Sequence, residues 1–277
     1  ELATHRPEGR RKVRRRIDGE ELDLDAAIEM IADRRSGTVA DDRLYVRRER
    51  AKRDVATAFL LDLSASTSSP TEEPEQPAPD EDEDDPYRFL VVDAAPSGPP
   101  SRRVIDVAKD SAALMSDALD ELGDSYAVYG FSGQTRENVE SHVTKELDTP
   151  TSAATWAALA AMRPMSYTRM GPAIRHAASK LGASDARLKL LIVISDGYPQ
   201  DIDYGPDRRD KSYGVHDSAK AIAEARSTGV DTFCITIDPA GRNYLDLMCP
   251  DGRYLVIDDV ESLPEELARV YLRLSAR

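Results

Sequence analysis

The sequence feature that most constrains the fold is the nearly continuous apolar run from Val55 to Leu63. A strand with one face in water alternates apolar and polar side chains, whereas this run is apolar at almost every position. Such strands are typical of parallel sheets that carry helices on both faces. The run therefore predicts a central strand that is covered on both sides.

Strand and helix patterns alternate through the second half of the chain. Apolar runs of strand length lie at 188–195, 230–237 and 254–257, and helical periodicity is present at 152–162, 170–181, 216–228 and 263–274, with a short helix near 244. Parallel strands need a crossover connection, which is usually a helix. The alternation predicts an α/β, Rossmann-like fold with a mostly parallel central sheet and helices on both faces.

The first half of the chain contains a basic lead-in and a long helix. Residues 1–53 hold an arginine-rich run, a helix pattern at 22–35 and a short strand pattern at 44–46, and we expect them to pack on or to precede a main domain of residues 54–277. In that domain a helix is predicted at 102–122, ended by Gly123, with strands at 126–131 and 139–147.

Residues 68–100 interrupt these patterns with prolines and acids. Nine carboxylates lie between Glu72 and Asp85, and only residues 89–92 are apolar enough to form an ordered piece. A segment of this composition buries too little apolar surface to offset the entropy lost on ordering. We therefore predict an acidic, partly disordered insertion.

The bulk composition favours a cytoplasmic protein. The net charge is −14, and no apolar stretch approaches the roughly 18 residues that a membrane-spanning helix needs. The two cysteines, Cys234 and Cys249, form neither a disulfide framework nor a zinc motif, which favours a reducing compartment. We expect no signal peptide and, because the chain begins with Glu1 instead of Met, we expect it to be part of a longer protein.

Hard oxygen donors follow the predicted strands at the sheet edge where α/β proteins bind ligands. The first strand leads into Asp62-Leu-Ser64-Ala-Ser66, Thr168 precedes a helix, and Asp196 follows a later strand. Carboxylates and hydroxyls suit a small octahedral cation such as Mg²⁺, with Mn²⁺ or Ca²⁺ as alternatives. We predict that one divalent cation is bound by Asp62, Ser64, Ser66, Thr168 and Asp196.

Such a cation would be incompletely neutralised, so it would attract a carboxylate from outside and act as a docking point. A network of turns and helix caps is the simpler alternative for Asp-x-Ser-x-Ser, because the same residue types commonly fill those positions. The later acids Asp201, Asp203, Asp207 and Asp210 lack the spacing of an EF-hand, and they are predicted to form a solvated loop beside the site.

The five predicted ligands resemble the metal-ion-dependent adhesion site of von Willebrand factor A (VWA) and integrin I-type domains in order, element context and approximate spacing. The resemblance implies a VWA fold in which the hydroxyls contact the ion directly and the aspartates act partly through water. The sequence departs from many members of that family in the acidic insertion that follows Thr67.

Longer stretches resemble the C-terminal VWA region of the NorD and CbbO families, at 61–67, 129–132, 168–176, 196–201, 233–239 and 254–258. Those families work with MoxR-type AAA+ ATPases, NorD in activating nitric oxide reductase and CbbO in reactivating Rubisco. The resemblance implies a cytoplasmic adaptor without catalysis of its own. It would link such an ATPase to a client protein that presents a carboxylate to the metal.

Other functions fit the motifs less well. A Mg²⁺-dependent phosphotransferase with Asp62 as nucleophile would need a second acid where Ser64 stands, and the chain has no Gly-x-x-x-x-Gly-Lys-Ser/Thr loop for ATP. A scaffold whose metal only stiffens the loops is a third hypothesis. The arginine runs are offset by the acidic insertion, so neither nucleic-acid binding nor membrane insertion is predicted.

The composition of the insertion predicts that deletion of residues 72–85 leaves folding intact, because this part contributes no apolar surface to a core. The thermal midpoints of the deleted and full chains should agree, and protease should cleave the full chain first within this tract. A large loss of thermal stability on deletion would instead identify the tract as a packed element.

Overall fold

The computed structural model describes residues 10–37, 39, 41–50, 54–71, 101–206 and 210–276. The chain divides into two compact units, residues 1–53 and residues 54–277. Within the described ranges, no helix is both long and apolar enough to cross a membrane.

The first unit contains a small antiparallel sheet and one helix. Strands β1 (Arg10–Arg16), β2 (Glu21–Leu22) and β3 (Tyr45–Arg50) lie in the order β1-β3-β2, and helix α1 spans Leu24–Ser36. The predicted helix is confirmed. Strand β1 was not predicted, because its residues are nearly all basic and show no alternation; pairing of its backbone with β3 makes it a strand.

The second unit is built on a six-stranded sheet. Its strands are β4 (Val55–Asp62), β5 (Ser125–Gln134), β6 (Asn138–Lys145), β7 (Leu188–Ser195), β8 (Val230–Thr236) and β9 (Tyr254–Val256). They lie in the order β6-β5-β4-β7-β8-β9; β6 at one edge pairs antiparallel with β5, and the other neighbours pair in parallel. The mostly parallel sheet confirms the predicted Rossmann-like α/β class.

The helices of the second unit agree closely with the periodicity of the sequence. They are α2 (Val104–Leu122), α3 (Ala153–Ala161), α4 (Met170–Gly182), α5 (Ser212–Ser227), α6 (Arg242–Met248) and α7 (Leu263–Ser275). The largest difference is that α5 begins at Ser212 and not near His216. Gly214 resembles a helix breaker in the sequence, but here it allows a close approach, since a Cβ would lie 2.0 Å from the Pro199 carbonyl oxygen.

Strand β4 lies at the centre of the sheet and is buried along its whole length, as predicted. Ala58 and Leu60 pack in one apolar cluster with Ile174 of α4. Phe59 lies on the opposite face of the strand, because successive side chains alternate, and it is equally buried. Both faces of β4 are therefore covered.

The described residues on the two sides of the insertion lie next to each other. A 3₁₀ turn at Ala65–Ser68 follows β4, and Pro70 forms an antiparallel bridge with Arg103. The Thr71 N–H donates to the Arg102 carbonyl at 2.8 Å, which closes this stem before α2. The predicted insertion is thus ordered at 68–71, and its remainder, including the piece predicted at 89–92, lies outside the described residues.

Gly123 ends α2 in the left-handed region, with φ of +74°, where a side chain costs roughly 1–2 kcal/mol. Gly123→Ala should therefore lower the free energy of unfolding in urea by about 1 kcal/mol. Gly182→Ala is the matched control, because a Cβ meets nothing within 4 Å at either position and Gly182 is not left-handed. Equal stability of the two variants would contradict this role for Gly123.

Candidate metal centre

Asp62 ends the central strand and lies inside the carboxyl edge of the sheet, where it is 3% exposed. Its Oδ1 accepts the Ser64 N–H at 2.8 Å, and its Oδ2 accepts the Ser195 hydroxyl at 2.6 Å. Ser195 ends β7, which pairs in parallel with β4, so both strands end at the same edge. The carboxylate is therefore held at both oxygens.

Ser64 and Ser66 form a chain of hydroxyls between the two carboxylates of the site. Ser64 Oγ lies 3.0 Å from Ser66 Oγ, and Ser66 Oγ donates to Asp196 Oδ1 at 2.8 Å. The 3₁₀ turn sets this spacing, because Thr67 donates its hydroxyl to the Ser64 carbonyl at 2.7 Å. The Asp-x-Ser-x-Ser motif thus supplies three oxygen-bearing side chains along one turn.

Thr168 reaches the same edge on the loop between α3 and α4, and it is 4% exposed. Tyr167 and Gly133 of β5 exchange backbone hydrogen bonds at 2.8 and 2.9 Å, and the Thr168 N–H donates to the Gln200 carbonyl at 3.0 Å. Burial raises the pKa of Asp62, and a hydrogen bond from the Thr168 side chain is one of those that oppose this rise. This loop is therefore fixed to β5 on one side and to the loop after β7 on the other.

The five residues that the sequence predicted are thus brought to one edge by three separate segments of chain. Hydrogen bonds link Asp62, Ser64, Ser66 and Asp196, and Thr168 joins them through its effect on Asp62. Ser195 was not predicted as a site residue. The only sequence signal for it is its place at the end of a strand next to Asp196.

The two carboxylates are poorly compensated. Burial raises the pKa of Asp62, against the hydrogen bonds from Ser195, Ser64 and Thr168. Burial and then the negative charge of Asp62 raise the pKa of Asp196 to about 7. No Lys, Arg or His nitrogen of the described residues lies within 4.0 Å of either carboxylate. Negative charge at this edge therefore lacks a cationic partner in the described part of the protein.

These donors fit a small divalent cation. Mg²⁺ prefers hard oxygen ligands and commonly takes one or two carboxylates, with water in its remaining positions. Across the described ranges, no group of three or more His, Cys, Asp or Glu side chains is placed to hold a metal. A cation here would depend on the hydroxyls of Ser64, Ser66 and Thr168 as well as on the two carboxylates.

The prediction of a solvated acidic loop after the site is wrong for Asp201, which is buried, whereas Asp203 is exposed as predicted. The Asp201 side chain is 0% exposed and accepts Arg169 Nε at 2.8 Å, and Asp203 also pairs with Arg169. This pairing could not be predicted from the sequence, because the partners are far apart along the chain. Asp210 is exposed and accepts the Ser212 N–H at 2.8 Å, and Asp207 lies outside the described residues.

The sequence profile of the von Willebrand factor type A domain matches residues 90–269, and the chain belongs to that family. The matched range includes Thr168 and Asp196 but begins after Asp62, Ser64 and Ser66. The fold described above agrees with this assignment, since the sheet is mixed, mostly parallel and covered by helices.

Within this family, the chain is similar to proteins named NorD. It is 33% identical to protein NorD of Stutzerimonas stutzeri over 92% of this chain and 37% of that protein. It is 30% identical to protein NorD of Brucella melitensis over 96% and 37%, respectively. An uncharacterized protein of Pseudomonas aeruginosa is 34% identical over 96% of this chain and 39% of that protein. The chain therefore spans less than two fifths of these relatives.

Solved structures share the fold at low sequence identity. The PilB minor pilin of Streptococcus sanguinis superposes with a TM-score of 0.56 and 16% identity, covering 83% of this chain and 64% of that chain. The von Willebrand factor domain of the pilus tip protein Mfa5 from Porphyromonas gingivalis gives 0.51 and 11%, covering 79% and 96%. These likenesses concern the fold alone.

The raised pKa of Asp196 predicts how the metal-free protein responds to pH. Between about pH 4 and pH 7 the folded chain holds a proton that the unfolded chain has released, so the free energy of unfolding falls as the pH rises. Asp196→Asn should remove part of this fall in urea titrations with EDTA, whereas substitution of the exposed Asp117 should not. Superimposable pH profiles for wild type and Asp196→Asn would contradict the raised pKa.

Proposed function

We propose that this domain binds Mg²⁺, or another divalent cation such as Mn²⁺ or Ca²⁺, and uses it to bind a carboxylate of a partner protein. The proposed ligands are Asp62, Ser64, Ser66, Thr168 and Asp196. One observation carries the proposal: the buried Asp62 and the half-buried Asp196 are linked by a chain of hydroxyls, with no basic nitrogen of the described residues within 4.0 Å of either carboxylate. Burying charge without a partner is costly, and a cation would remove that cost.

The exposure of one proposed ligand supports a site that binds a partner protein in preference to a closed structural metal site. Asp62, Ser64 and Thr168 are buried, whereas Ser66 is exposed, so the site opens on the Ser66 side. Three of the five donors are neutral hydroxyls, which leave the ion attractive to a further anion. A carboxylate that enters where water is partly excluded is bound more strongly than it would be in bulk water.

The similarity to NorD supports a role in the activation of another protein. We infer an adaptor that works with a MoxR-type AAA+ ATPase and contacts a client enzyme, either nitric oxide reductase or Rubisco, through the metal. In this role the chain hydrolyses no ATP itself, because the energy would come from its partner. No contact with nucleic acid and no insertion into a membrane belong to this role.

The environment of Asp62 argues against the phosphotransferase hypothesis. A carboxylate nucleophile must be able to reach the phosphorus atom of a substrate, but Asp62 is only 3% exposed. Ser64 stands where a second acid would assist proton transfer. These features support a binding role for Asp62.

Cation binding is tested by calorimetry on variants of the exposed turn. Ser66→Ala should weaken Mg²⁺ affinity at least tenfold, because it removes a proposed ligand, while Asp62→Asn should abolish binding. Ser68→Ala is the matched control: Ser68 is exposed in the same turn and its hydroxyl donates only to the Ala65 carbonyl. Wild-type affinity in Ser66→Ala would contradict the proposed ligand set.

The docking role is tested with a MoxR-type ATPase and a client protein. Capture of the client by the wild-type domain should be lost in EDTA and restored by Mg²⁺, and Ser66→Ala should lose it at Mg²⁺ concentrations that saturate the wild type. Binding of the ATPase need not follow the ion. Phosphate release by the purified chain that depends on Asp62 would favour the enzyme instead, and client capture unaffected by EDTA would leave only the scaffold.

A further inference from the structure

Arg169 and Asp201 form a buried ion pair directly beside the proposed ligand Thr168. Their side chains are 7% and 0% exposed, and Arg169 Nε donates to Asp201 Oδ2 at 2.8 Å. A buried ion pair is weak evidence for stability, because desolvation offsets most of its attraction and apolar residues often serve as well. Because the pair lies beside Thr168, we considered a role in the site in addition to any contribution to the stability of the fold.

The pair joins three segments of chain around the site. Asp201 Oδ1 accepts the N–H groups of Thr135, at the tip of the β5–β6 hairpin, and of Ile202, at 3.1 and 2.6 Å. Arg169 also pairs with Asp203, and its guanidinium lies 4.6 Å from the centroid of the Tyr204 ring. The Asp201 carboxylate and the Arg169 guanidinium are thus both held by further contacts besides the bond between them.

The ion pair lies next to the two chain segments that carry the proposed ligands Thr168 and Asp196. Arg169 is the neighbour of Thr168 in the chain, and Asp201 follows Gln200, whose carbonyl accepts the Thr168 N–H at 3.0 Å. The same loop begins at Asp196 after β7. Gly133 of β5 lets Arg169 pass closely, since a Cβ there would lie 2.7 Å from Arg169 Cβ. The ion pair therefore ties the Thr168 loop to the Asp196 loop.

We propose that Arg169 and Asp201 are positioning residues of the cation site: they hold the Thr168 hydroxyl at a fixed distance from Asp62 and Asp196 without touching the ion. This inference rests on the proposed function, because it needs the cation. Groups that orient metal ligands typically change metal affinity by about 10–100-fold when they are removed. Mg²⁺ requires nearly octahedral geometry at 2.0–2.1 Å, whereas Ca²⁺ accepts looser geometry at about 2.3–2.6 Å.

The test compares Mg²⁺ and Ca²⁺ dissociation constants in Asp201→Asn and wild type. The asparagine oxygen can keep the bonds from Thr135 and Ile202, but the NH₂ group that then replaces Oδ2 is a donor and cannot accept from Arg169 Nε. Mg²⁺ affinity should fall about 10–100-fold, and Ca²⁺ affinity should fall less. Asp231→Asn is the matched control, because Asp231 pairs with Arg253 at the start of β8, at the opposite edge of the sheet.

Asp201→Asn should have a lower thermal midpoint in EDTA than Asp231→Asn, because it removes one of the two carboxylates that pair with the buried Arg169. The change in the Mg²⁺ to Ca²⁺ affinity ratio, measured on the folded variant, separates positioning from general damage. Arg169→Lys is the second variant if Asp201→Asn does not fold; it keeps the charge, loses the planar fork and should show the same shift in the Mg²⁺ to Ca²⁺ ratio. Unchanged Mg²⁺ affinity in a folded variant, or equal loss for both ions, would overturn the positioning role. A wild-type chain that binds neither ion would overturn the proposed function itself.

Discussion

The carboxyl edge of the sheet depends on Asp62, a carboxylate that the central strand carries out of the apolar core and into a shielded position. Strand β4 is buried at every residue and pairs in parallel with strands on both sides, so its last residue has little freedom to move toward water. Hydrogen bonds from Ser64 and Ser195 stabilise the buried carboxylate. Those bonds lower the pKa of Asp62, but burial still raises it overall. This unfavourable burial of a carboxylate, without a basic side chain of the described residues beside it, is the basis of the proposal that a cation binds at this edge.

The other parts of the site follow from that constraint. A turn of four residues after β4 aligns two hydroxyls between Asp62 and Asp196, and the loop before α4 brings Thr168 beside them. The Arg169–Asp201 pair adds buried charge of both signs next to the site, where it orients the loops without neutralising either proposed ligand carboxylate. The stem formed by Pro70 and Arg103 keeps the start of the insertion close to the turn that carries Ser66. Fold, charge and access therefore converge on one edge of the sheet.

Most of the fold was predictable from the sequence, because strands of a parallel sheet are apolar throughout and amphipathic helices repeat at a fixed period. The elements that were missed, strand β1 and the first turn of α5, have local explanations. Strand β1 is hidden by its basic composition, and the first turn of α5 is hidden by Gly214, whose role is a close approach to Pro199. The five proposed ligands were predictable from their positions at the ends of strands and before a helix, and from the family resemblance. Two contacts could not be predicted: the hydrogen bond between Ser195 and Asp62 and the ion pair between Arg169 and Asp201. Their partners lie 133 and 32 positions apart, and a single sequence does not show which distant residues are in contact.

The central claim is that a divalent cation occupies the edge defined by Asp62 and Asp196. Crystals of this chain grown with Mn²⁺ would test it directly, because the anomalous scattering of manganese locates the ion independently of the protein density. The account predicts a single strong peak at about 2.0–2.3 Å from the hydroxyl oxygens of Ser64, Ser66 and Thr168, the range for hard oxygen ligands of such ions. No peak at this edge, with the five side chains ordered as described, would contradict it.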